Sequence, residues 1–122
     1  MHLSTSFPDA PAAPENLRVT DQHKEYVCLA WDVPGSDGGA PITAYVIEKR
    51  DASRTLWTGA GRVGGSTLKG KVGKLFEGSE YMFRVAAENA IGQGEFTQLK
   101  NSVTAKLPFG GCSRGIRDGG FV

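Results

Sequence analysis

Apolar and polar residues alternate along this chain in short runs, with a period of two. In "YVCLAW" (Tyr26 to Trp31), Val27, Leu29 and Trp31 fall on one face, with Cys28 and Ala30 on the other. "ITAYVIEKR" (Ile42 to Arg50) sets Tyr45 and Ile47 against Val46 and Glu48, and "EYMFRVAAEN" (Glu80 to Asn89) lines up Tyr81, Phe83, Val85 and Ala87. "NLRVT" (Asn16 to Thr20) alternates Leu17 and Val19. "TLWTG" (Thr55 to Gly59), "TLKGKV" (Thr67 to Val72) and "SVTAKL" (Ser102 to Leu107) are shorter or weaker runs of the same kind. No segment carries a capped apolar repeat of helical period. Glu, Met and Ala in Glu80 to Asn89 favour helix, but aromatic residues and Val at period two favour strand more strongly. "PGSDGGAP" (Pro34 to Pro41) is dense turn chemistry. Seven short strands with frequent turns predict an all-β, antiparallel sandwich. Its core is expected at Trp31, Tyr45, Ile47, Val72, Leu75, Tyr81, Phe83 and Val85.

The glycines raise a competing possibility. "GAGRVGG" contains Gly59-x-Gly61-x-x-Gly64, the spacing of a dinucleotide-binding turn, and "GSTLKGKV" (Gly65 to Val72) is one position away from a phosphate-binding loop. A dinucleotide turn works because it opens a helix whose N-terminal amides face the pyrophosphate. No helix signature follows Gly64, and Val72 stands where a Ser or Thr hydroxyl would meet magnesium. The stretch reads instead as a glycine-rich connection between edge strands, with no cofactor. Six glycines between Gly59 and Gly73 make it the expected least-protected part of the sandwich.

With 122 residues there is room for one domain and little more. Fourteen Lys and Arg against thirteen Asp and Glu leave net +1, which offers no electrostatic footprint for nucleic acid or an anionic membrane. No apolar run approaches the roughly 20 residues of a membrane helix. The start, "MHLSTSFPDAPAAP", lacks the basic and continuous apolar regions of a secretory signal. Cys28 and Cys112 read as free thiols, which suits a reducing compartment. Asn16, Asn89 and Asn101 all fail the glycosylation sequon.

The most specific feature is "LFEGSEY", which places Leu75, Gly78 and Tyr81 at the spacing of a tyrosine corner. With Trp31 ending the second strand, "DGGAPITAYVIEKR" in the third and "YMFRVAAENAIGQGE" in the sixth, the chain closely resembles a fibronectin type III domain from about Pro11 to Phe109. The proline-rich entry "PAAPENLRVTD" and "DGGAPITAYVIEKRDASRTLW" narrow the resemblance to the domains of giant intracellular muscle proteins such as titin, twitchin, projectin and the myosin-binding protein C group. The resemblance implies a seven-stranded fibronectin type III sandwich at residues 11–109. A flexible N-terminal segment at 1–10 and a disordered glycine-rich tail at 110–122 are expected to flank it. Gly70 stands where the family's fifth strand usually carries an aromatic or aliphatic residue, so one core contact is expected to be missing.

Catalysis has little support. His2 and His23 have no Cys or acidic cluster at metal-ligand spacing, and no Ser lies in a nucleophile-elbow context. The loop "NAIGQGEF" lacks the Arg-Gly-Asp of integrin-binding relatives, and the twin Trp-Ser motif of cytokine receptors is absent. Glu48 and Arg84 point outward, with Arg84 placed to stack on a ring such as Trp57. Loops on a rigid sandwich carry function, so the candidate partner-binding positions are Asp37, Gly38 and Gly39, and Gly92, Gln93, Gly94 and Glu95. The resemblance implies a non-enzymatic structural and protein-interaction module of a sarcomeric, filament-associated multidomain protein in the cytoplasm. Its expected partners are thick-filament components and neighbouring domains of a tandem array, and the isolated domain is expected to be a monomer. The alternative is an extracellular module of an adhesion receptor or receptor phosphatase, which has a similar core.

Overall fold

The computed structural model describes Pro8 to Lys106; the expectations for His2, Cys112 and the 110–122 tail lie outside these residues. Eight strands follow one another: β1 (Glu15–Gln22), β2 (Val27–Asp32), β3 (Ala44–Asp51), β4 (Thr58–Gly64), β5 (Lys69–Val72), β6 (Glu80–Glu88), β7 (Gln93–Gln98) and β8 (Val103–Thr104). One sheet has the order β1-β2-β5 and the other β4-β3-β6-β7, with the two-residue β8 pairing to the start of β6. All pairings are antiparallel, and the two sheets face each other as a sandwich.

Period two explains which faces meet. Val27, Leu29 and Trp31 of β2, Tyr45 and Ile47 of β3, and Tyr81, Phe83, Val85 and Ala87 of β6 all enter one core cluster, joined by Val72 and Leu75. Trp31 and Tyr45 reach across from opposite sheets, with ring centroids 5.4 Å apart and planes tilted by 55°. Tyr45 is fully buried, and burial pushes its phenol pKa up.

Four strand expectations need correction. The glycine-rich stretch is not a connection: Thr58 to Gly64 forms β4, an edge strand pairing with β3 from Lys49↔Thr58 to Ala44↔Gly64. Backbone hydrogen bonding to β3 suffices there, because an edge strand has only one neighbour to satisfy. Trp57, expected at the centre of a strand over Thr55 to Gly59, lies just before it. A strand was also missed, since "QGEFTQ" (Gln93 to Gln98) pairs with β6 as β7 although Phe96 is its one large apolar residue. Of the expected strand over Ser102 to Leu107, Val103 and Thr104 form β8, and Leu107 lies outside the described residues.

Gly70 also differs from expectation. It pairs with Leu29, and its absent Cβ points into the core. A methyl there would lie 2.5 Å from Ile47 Cδ1 and 3.4 Å from Trp31 Cη2. The core contact is therefore not missing. The Ile47 and Trp31 side chains occupy the space that a larger residue on β5 would take.

The tyrosine corner is formed: the Phe76 N–H donates to the Tyr81 hydroxyl at 3.0 Å, while the Tyr81 ring is buried beside Phe83. The Tyr45 hydroxyl is buried with no protein partner among the described residues. The two phenols should therefore respond oppositely to loss of oxygen. Tyr81→Phe strands a backbone donor and should cost about 1–3 kcal/mol, whereas Tyr45→Phe removes an unpaired group and should be neutral within about 0.5 kcal/mol or stabilising. Urea melts of the two variants make the comparison; equal costs would show that the Tyr81 hydroxyl holds nothing.

Candidate protein-interaction site

The two candidate loops come together at the end of the sandwich where the chain enters. The Asp9 N–H donates to the Gly38 carbonyl at 2.7 Å, and the Ala12 N–H to the Ser36 carbonyl at 3.0 Å. Asn89, at the end of β6, is 4% exposed and uses its whole carboxamide. Its Nδ2 donates to the carbonyls of Asp9 (2.7 Å) and Asp37 (2.8 Å), and its Oδ1 accepts from the amides of Ile91 (2.9 Å) and Gly92 (3.1 Å). One side chain thus ties the entry segment, the β2–β3 loop and the β6–β7 turn together. Gly94 completes the arrangement, since a Cβ there would lie 1.9 Å from the Pro11 carbonyl oxygen.

This changes what the candidate residues can offer. Asp37, Gly39, Gln93 and Glu95 are exposed, whereas Gly38, Gly92 and Gly94 are half-buried. Gln93, Gly94 and Glu95 begin β7 rather than lying in a loop. The Asp37 carboxylate accepts from the Gly39 amide at 2.8 Å, which fixes the turn. Asp9, expected within the flexible segment 1–10, is anchored here. Asn89 was missed as a functional residue because its partners lie 80 and 52 positions away, and only the fold brings them together.

A second arrangement lies on the outer face of the larger sheet. The Arg84 guanidinium sits 4.3 Å from the Trp57 ring centroid and 4.0 Å from that of Phe96. Its Nε and Nη2 both donate to Glu48 Oε1, at 2.9 and 2.6 Å. Arg50 approaches Trp57 at 5.3 Å. Arg84 on Trp57 follows the sequence expectation; Phe96 was not foreseen, because its strand was not. With both partners about a quarter exposed, the ion pair belongs to the class worth roughly 0.2–1 kcal/mol, and each ring contact adds about 0.5–1. Arg84 and Glu48 largely satisfy each other, so this face is braced.

The remaining candidates do not assemble a reactive site. His23 stacks on Tyr26 at 4.8 Å, and Lys71 lies 4.3 Å above the Tyr26 ring. Cys28 is a free, half-buried thiol. Among the described residues there is no group of three or more His, Cys, Asp or Glu able to hold a metal. Gly59, Gly61 and Gly64 lie within β4, where no helix N-terminus follows to face a phosphate.

Comparison with known proteins agrees with this geometry. The family model described as fibronectin type III domain matches residues 12–101. Titin of Drosophila melanogaster is 42% identical over 84 residues, covering 69% of this chain and, to the nearest per cent, 0% of that protein. The fast-type myosin-binding protein C of Gallus gallus is 34% identical over 84 residues, covering 69% of this chain and 7% of that protein. A crystal structure of domains A168–A170 from titin superposes with a TM-score of 0.75 at 32% identity, covering 80% of this chain and 33% of that one. The chain therefore spans only a small part of the relatives it matches.

Because Asn89 satisfies four backbone groups at once, Asn89→Ala should cost at least about 2 kcal/mol. Amide exchange should rise at Ile91 and Gly92. Asn89→Asp keeps the acceptor oxygen, so it should preserve protection of those two amides while freeing the Asp9 and Asp37 carbonyls. An alanine variant within about 0.5 kcal/mol of the parent would mean that the entry segment is held by other contacts.

Proposed function

The chain belongs to the fibronectin type III family, and from that premise we propose that it is a non-enzymatic structural and protein-interaction module of a filament-associated multidomain protein of the sarcomere. The observation that carries this reading is the clamped entry. A module strung in a tandem array must pass tension and orientation from its linker into its sheets. Here the linker's Asp9 and Ala12 are bonded to the β2–β3 loop, and Asp9 is also pinned by Asn89, before the first strand starts. The relatives named titin and myosin-binding protein C support the muscle setting, and the free Cys28 suits a reducing compartment. Neighbouring domains and thick-filament components are the partners this reading implies.

The site chemistry supports a non-catalytic role. Among the described residues, the side chains exposed at the entry end include Asp9, Asp37, Gln93, Val33 and Ile91, and no His or Cys lies in the loops there. The cleanest test is where the protein sits in its source tissue. Antibodies raised against this chain should stain permeabilised myofibrils in a regular striped pattern and leave intact cells unlabelled. Labelling of intact, unpermeabilised cells would replace this reading with that of an extracellular receptor module.

A further inference from the structure

Ala52 to Leu56, in the turn between β3 and β4, is the longest unbroken run of exposed positions among the described residues. It belongs to no strand. Its Ala52 amide donates to the Glu80 carbonyl and its Arg54 amide to the Asp51 carbonyl, each at 2.9 Å. In the middle stands Ser53, whose hydroxyl and amide both donate to Asp51 Oδ1, at 2.7 and 2.9 Å. An exposed turn outside the sheet ladder is the kind of segment that another protein's cleft can take hold of.

The charges around Ser53 are ordered in sequence. Arg50 lies three positions before it, Lys49 four before and Arg54 one after. No other Ser or Thr among the described residues has Lys or Arg three positions before it. Kinases choose acceptors largely by such charge patterns. The Arg50 guanidinium lies on the surface of the turn itself, 5.3 Å from the Trp57 ring centroid, and donates to the Arg54 carbonyl. Exposed carboxylates are also found at this end of the sandwich, at Glu25, Glu77 and Glu80, but Asp51 is the one bonded to Ser53, and Glu80 accepts from Ser102 on the other flank of β6.

We propose that Ser53 is a phosphorylation site for a protein kinase that selects a cation three residues before its acceptor, and that the phosphate releases the turn from Asp51. In the transfer, Ser53 Oγ forms a bond to the γ-phosphorus of ATP, the bond from that phosphorus to the β-phosphate oxygen breaks, ADP leaves, and the hydroxyl proton passes to the kinase's base. The product has lost the hydroxyl that Asp51 accepts from and has gained a phosphate beside that carboxylate. Like charges repel, so the phosphate turns to the guanidinium groups of Arg50 and Arg54. Arg50 then leaves the Trp57 ring, and the β3–β4 turn changes shape while the sheets stay as they are. The proposal stands on this turn alone and does not require the muscle setting.

The test uses the folded 122-residue chain, ATP, magnesium and a purified calmodulin-dependent protein kinase of this selectivity, with a synthetic peptide of residues 47–58 as the unfolded comparison. Mass spectrometry should find one phosphate per chain, on Ser53. Ser53→Ala should abolish it. Arg50→Gln should lower kcat/KM at least tenfold while leaving the melting temperature unchanged, and Arg50→Lys should restore part of the loss. The Ser53 bonds now hold the Asp51 carboxyl below its ordinary range. In the phosphorylated chain, NMR titration should find it at higher pH than in the parent, because the phosphate keeps one negative charge where Asp51 titrates. Phosphate on the peptide but not on the folded chain, phosphate on neither, phosphate at another residue, or an undiminished rate in Arg50→Gln would each overturn the site. An unmoved Asp51 titration would overturn the release of the turn.

Discussion

Everything in this sandwich is arranged around the volume of Trp31. It is the largest fully buried side chain, reaching from the smaller sheet toward Tyr45 of the larger one. Facing sheets have a fixed spacing, so a ring of this size needs a small residue beside it. Gly70 on the neighbouring strand provides that space, and Ile47 fills what is left. Truncating such a buried Trp ordinarily costs about 3–5 kcal/mol, a large share of the ~5–15 kcal/mol that holds a domain together. The positions of β2, β3 and β5 therefore depend on one another through a single packing solution.

That core sets the ends. With β3 and β6 paired over eight residues, from Ala44↔Glu88 to Asp51↔Tyr81, Asn89 must emerge where the β2–β3 loop returns. The same register puts Tyr81 at the opposite end, where its hydroxyl holds the β5–β6 turn through Phe76. Asn89 and Tyr81 are thus counterparts, each a buried polar group at one end of β6 that fixes the turn beside it. On the outer face the register sets Glu48 directly across from Arg84, which explains their ion pair.

Much of this was legible in the sequence because period-two patterning is local. Trp31, Tyr45, Phe83 and Val85 could be assigned to one interior from their own strands, and Tyr81 from the Leu75–Gly78–Tyr81 spacing. What was not legible depends on partners distant in sequence. Gly70 looked like a deficit because a single strand does not show Trp31 and Ile47 crossing from β2 and β3. Gly59 to Gly64 gave no side-chain pattern, since β4 is held by backbone bonding to β3. "QGEFTQ" carried one large apolar residue and two nearby glycines, so it read as loop. Of the candidate interaction site, the turns at Asp37 and Gly92 were legible as turns, but not the carboxamide of Asn89 that joins them.

The claim that Gly70 is reserved space, rather than a lost contact, is tested most directly by a double-mutant cycle with Ile47. Gly70→Ala sets a methyl against Ile47 Cδ1 and should destabilise the fold by about 1–3 kcal/mol. Ile47→Val removes that δ-methyl and alone should cost about 0.5–1.5 kcal/mol. In denaturant melts the double variant should be more stable than the sum of the two by at least about 0.5 kcal/mol, because each change relieves the other. Costs that add within about 0.3 kcal/mol would show that Gly70 and Ile47 do not compete for the same space, and would contradict the account.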